Sequence, residues 1–119
     1  MDAITSYKNN AVLNQSPGQL VVTLYDGAIK FLNQALVELE AGNYAEKGRL
    51  ICKAMDIVVE LNCCLDMETG GEMAMNLRKL YHFMHRHLAE ANAKKDPQRI
   101  REVINLLKEL NEGWRAICT

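Results

Sequence analysis

Between Leu20 and Leu39 apolar residues return every three or four positions: Leu20, Leu24, Ala28, Phe31, Ala35 and Leu39, with Val21, Leu32 and Leu36 alongside. That spacing is the 3.6-residue period of an amphipathic helix. Ser16-Pro17 supplies an N-cap and a first-turn proline, and Gly42 closes the run. A second helical run extends from about Tyr44 to Leu65. Gly70-Gly71 break the chain, a third run covers Glu72 to about Asn92, and Asp96-Pro97 open a fourth that reaches the C-terminus. Connections this short force neighbouring helices antiparallel. The pattern predicts an all-α chain: an antiparallel up-down four-helix bundle over residues 16–119, preceded by a short N-terminal docking segment. That segment, residues 1–15, sets Ile4, Tyr7, Val12 and Leu13 among polar neighbours. Expected to be partly flexible, it reads either as a frayed tail or as a segment that docks reversibly in an apolar groove.

The second run has more apolar surface than a plain bundle uses. Leu50, Ile51, Ala54, Val58, Leu61 and Leu65 form one stripe on a helical wheel, and Cys52, Met55, Val59 and Cys63 form another roughly opposite. Lys53, Asp56 and Glu60 leave only a narrow polar strip between them. A bundle helix needs one apolar stripe. The second is covered by burial of a central helix, by a second copy of the chain in a homodimer, or by amphipathic helices of a partner. Methionine suits the last, because it repacks around different shapes. The fourth run also has a wide apolar arc, including Ile100, Ile104, Leu110, Trp114 and Ile117. The third carries Met75 and Phe83 away from its main stripe of Ala74, Leu77, Tyr81, Met84 and Leu88.

One dipeptide cuts across this reading. Asp26-Gly27 is a strong turn signal lying inside the first helical run. On the wheel Asp26 faces solvent, four residues before Lys30, its expected ion-pair partner. Gly27 lies at the edge of the buried arc and costs ~1 kcal/mol of helix propensity relative to alanine. A close approach of a neighbouring helix, the N-terminal segment or a partner is expected at that edge.

Composition narrows the function classes. Of 119 residues, 49% are hydrophobic and 24% charged, so the chain folds. A formal net charge of -1 argues against a nucleic-acid binder. No apolar run approaches the ~18 residues of a membrane span, so no membrane insertion is expected. The N-terminus lacks the basic-then-apolar order of a signal peptide, and a cytoplasmic location is expected. Cys52, Cys63, Cys64 and Cys118 include no C-x2-C pair and read as reduced thiols. His82, His85 and His87 do not converge on one helix face, as a metal site would require, and no cofactor motif is present. A phosphotransfer bundle using His82 or His85 is the enzyme-pathway alternative, and nothing around His82 specifically supports it.

Several segments together resemble a known family. "SPGQLVVTLYDGAIKFLNQA", "ICKAMDIVVELNCCLD", "GGEMAMNLRKLYHFM" and "LLKELNEGW" are similar to the bacterial flagellin chaperones of the FliS family, from about Tyr7 to Trp114. The resemblance implies a non-enzymatic four-helix bundle that binds the C-terminal helical region of flagellin in the cytoplasm. It would block premature filament assembly and help deliver flagellin to the flagellar export gate. It also implies that the partner wraps the bundle in pieces, and that the N-terminal segment covers part of the same surface when no client is bound. The partner-binding residues expected on this basis are Ile4, Tyr7, Leu13, Gly27, Cys52, Met55, Val59, Cys63, Phe83 and Ile104.

Overall fold

The computed structural model describes residues 17–118. Four helices follow in order: α1 (Pro17–Glu40), α2 (Tyr44–Cys63), α3 (Gly71–Lys94) and α4 (Pro97–Cys118). Their bounds fall within about two residues of the sequence pattern, apart from small shifts at frayed ends. α1 packs on α2 and α4, and α3 packs on the same two helices, so the four form a closed ring around one core. The turns 41–43, 64–70 and 95–96 keep consecutive helices antiparallel. The N-terminal segment 1–15 and the Ser16 cap lie outside the described residues.

The helix ends are set by local chemistry. Gly42, at φ +79°, follows α1 in the left-handed region that glycine enters without penalty. Asp96 caps α4: its carboxylate accepts from the Gln98 backbone N–H at 3.0 Å and from Arg99 Nε at 3.1 Å. In the α2–α3 turn, Asp66 accepts from the Glu68 and Thr69 N–H groups at 3.1 Å each and from the Thr69 hydroxyl. These bonds, the Thr69 hydroxyl first, hold its carboxyl below the usual carboxylate range. Gly70 closes that turn tightly, since an added Cβ would lie 2.6 Å from both Ala74 Cβ and the Asp66 carbonyl oxygen.

The core is made by the stripes the periodicity picks out. Leu24, Ala28, Leu32 and Ala35 of α1 meet Leu50, Ile51, Ala54 and Val58 of α2, with Leu77, Met84 and Leu88 of α3 and Ile100, Val103 and Leu107 of α4. Two tyrosines cross the ring diagonally. The hydroxyls of Tyr25 (α1) and Tyr81 (α3) lie 2.7 Å apart, both side chains fully buried. Burial pushes both phenols above their ordinary range, so they stay neutral and satisfy each other. Lys47 is also inside, 3% exposed, and its Nζ donates to the Asn92 carbonyl at 3.0 Å and to Asn92 Oδ1 at 2.6 Å. This joins the start of α2 to the end of α3, with the ammonium at the negative pole of α3. Burial lowers the Lys47 pKa from its ordinary value.

One expectation changes here. Asp26 does not pair with Lys30. Its carboxylate accepts from Arg115 at 2.6 Å and from the buried Asn111 Nδ2 at 2.9 Å, both on α4. The contact spans 89 residues of chain, so the i,i+4 rule could not find it. α1 is also long and apolar enough, by length and composition alone, to cross a membrane, a test that core helices of bundles pass as well. Its apolar residues Leu24, Tyr25, Ala28, Leu32 and Ala35 are all fully buried against the other helices, as in a core helix of a bundle.

Candidate functional site

The second stripe of α2 is left open. Cys52, Val59 and Cys63 are exposed, Val59 by 49%, and Met55 is half-buried against the core edge. α2 is therefore not a helix buried on all sides. Beside Val59 a groove of about 470 Å³ runs between α2 and α3. Val58, Val59 and Asn62 form one wall; His82, His85, Arg86 and Ala89 form the other, with Tyr81 at the base.

A second groove, about 480 Å³, lies on the opposite flank of α3 against α4. Its lining is apolar: Met73, Leu77, Leu80, Leu110, Trp114 and Ile117, with Glu72 and Asn76 at its margin. Met73 and Ile117 are 69% and 75% exposed. Met73, Leu77 and Trp114 also line a smaller hollow at the end of the bundle, about 200 Å³, with Val21, Leu61 and Leu65. The two hollows thus share three side chains and make one apolar surface around the α3–α4 edge. Trp114 anchors it, its ring 6.4 Å from that of buried Tyr25.

The structure divides the expected site residues. Cys52, Met55, Val59 and Cys63 share the α2 face. Phe83 is on the other flank of α3, stacked on His87 at 4.7 Å, and His87 Nε2 lies 2.7 Å from Glu102 Oε1 on α4. Gly27 is buried. Ile104 is a correction: it is 4% exposed and part of the core, offering no open surface. The wide arc of α4 turns Ile104 inward and Leu110, Trp114 and Ile117 outward, a distinction periodicity does not make without the neighbours. Leu80, Leu110, Trp114 and Met73 belong to the larger apolar surface, and none was among the expected binding residues. The signal available was the excess width of the apolar arc on α4. Ile4, Tyr7 and Leu13 lie outside the described residues.

Among the described residues no three His, Cys, Asp or Glu side chains are placed to hold a metal ion. The geometry defines, among the described residues, a helical bundle with its own core and a groove on either flank of α3. The chain matches the family model for the flagellar protein FliS over residues 1–119. It is 39% identical to the flagellar secretion chaperone FliS of Vibrio cholerae over 119 residues, covering 97% of this chain and 88% of that protein. It is 43% identical to the Salmonella typhimurium flagellar secretion chaperone FliS over 109 residues, 91% and 81% of the two chains. The Bacillus subtilis protein of the same name is 31% identical over 111 residues, 93% and 82% of the two. The chain belongs to the FliS family of flagellar export chaperones.

Proposed function

We propose that this chain acts in the cytoplasm on the C-terminal helical region of flagellin, holding it unpolymerised until the flagellar export gate takes it. The observation that carries this reading is the apolar groove of Leu80, Leu110 and Trp114, half-buried at the edge of the core, flanked by exposed Met73 and Ile117. Amphipathic helices that pair with one another in a filament expose apolar faces when alone. Grooves of this size and lining suit such helices, and Met73 adapts to the shape of the occupant. The α2 stripe at Val59 offers a second stretch of contact for a client that wraps the bundle. The N-terminal segment competes for the apolar surface in this scheme. α1 begins at Pro17, and Val21, one turn in, already lines the end hollow.

The test is co-expression with a C-terminal flagellin fragment, followed by size exclusion with light scattering. A 1:1 complex is expected. Separate elution of the two would refute the client assignment, and a dimer of the chain alone would assign the open faces to self-association.

A further inference from the structure

The two grooves beside α3 differ in charge. Between residues 73 and 89, α3 carries Arg78, Lys79, His82, His85, Arg86 and His87 and no Asp or Glu, in a chain whose formal net charge is -1. Arg78, Lys79 and Arg86 are exposed and form no ion pair with any described residue. Arg86 lines the α2–α3 groove directly, across from Val59. In the same groove Asn62 Oδ1 is a buried acceptor with no hydrogen-bond donor among the described residues. On the α2 wheel, Asp56 and Glu60 fall on the far side of Val59 from α3. The open face is thus graded: a cationic edge on α3, an apolar strip along Val59, and a mixed edge on α2, which Asp56 and Glu60 share with Arg49 and Lys53.

We propose that this face receives one helical segment of the client, whose flank toward α3 carries carboxylates, and that Lys79 and Arg86 fix its direction by pairing with them. The inference rests on the client reading above and specifies the chemistry of one of its segments. Cations along one side of an apolar strip attract an amphipathic helix with an acidic flank, and the mixed charges of the α2 edge offer the same helix laid the other way round no net attraction. The face is concave and bears charges of both signs, so a flat anionic lipid surface would meet Asp56 and Glu60 together with the cations.

Two synthetic amphipathic peptides with the same leucine face test this, one with glutamate and the other with lysine along one flank. Fluorescence anisotropy at low ionic strength should give the glutamate peptide about a tenfold tighter Kd, the scale expected of two partly exposed charge pairs. The double variant K79E/R86E should reverse the order while its circular-dichroism melt stays unchanged. High salt should shrink the preference in the parent chain. Equal binding of the two peptides, or the same order in the variant, would overturn the proposal. So would binding to vesicles of anionic phospholipid that K79E/R86E abolishes, in a chain that takes neither peptide. A flagellin C-terminal fragment run in parallel separates the two claims. A chain that binds the glutamate peptide but no flagellin loses flagellin as the occupant, whereas one that binds flagellin without distinguishing the peptides loses only the charge rule.

Discussion

Asp26 joins two helices from a position that the sequence places in open solvent. Its carboxylate holds both Arg115 and Asn111 of α4, and Asn111 is 4% exposed with its Oδ1 already lacking a partner. Arg115 is more than half exposed and loses little when released, because water replaces its partner. Asn111 has no such recourse. Removing the acceptor leaves a second buried amide group unpaired, a loss of about 1–2 kcal/mol. Asp26→Ala should therefore lower the unfolding free energy by that amount in urea titration, and Arg115→Ala by less than ~0.5 kcal/mol. Equal effects would place the main contact at the arginine. The neighbouring Gly27 is buried, as its position at the edge of the arc predicts. The turn dipeptide thus serves two helix faces, one side chain reaching across to α4 and the other position kept small.

The helices themselves were legible because their stripes repeat over several turns and their ends carry local punctuation, Asp96-Pro97 and Gly70-Gly71 among them. The two stripes of α2 were legible for the same reason: a wheel separates Val59 from Val58 without knowing any neighbour. Grooves are not properties of single helices. Leu110 and Trp114 of α4 become the wall of a groove only because Met73 and Leu80 of α3 stand beside them, and Ile104 drops into the core only because α4 turns that way. At this scale Met73→Asp on α3, Ile117→Asp on α4 and Val59→Asp on α2 form a set. Each side chain is about half exposed or more, so each substitution should change stability by no more than ~0.5 kcal/mol. Each should weaken a flagellin C-terminal fragment by tenfold or more in calorimetry, a loss of ~1.4 kcal/mol of contact. A full effect at Met73 and Ile117 with none at Val59 would confine the client to the α3–α4 edge. Loss of the fold in any of the three would identify that stripe as core.

For the molecule as a whole, the core and the proposed client surface meet at one end of the bundle, where α1 begins. The residues before Pro17 can extend at most ~3.4 Å each, so a dozen or more of them reach any part of the hollow lined by Val21, Leu65, Met73 and Trp114. Ile4, Tyr7 and Leu13 supply apolar side chains of a kind that hollow accepts. A tethered segment acts at high effective concentration, so even weak docking would occupy the groove much of the time. In the proposed scheme a client would have to displace it, and the apparent affinity would be reduced to the fraction of chains with the groove open. Deleting residues 1–12 should accordingly tighten binding of the flagellin fragment. If the segment fills the groove nine times in ten, the gain is about tenfold. The melting temperature of the free bundle should stay the same or fall slightly, since a docked segment would add only a peripheral contact and the deletion leaves the core intact. Calorimetry with the shortened chain reads the first effect and a thermal melt the second. Unchanged affinity would mean that the segment does not compete for this groove. Weaker affinity would mean that it contacts the client directly, adding to the bound surface instead of covering it.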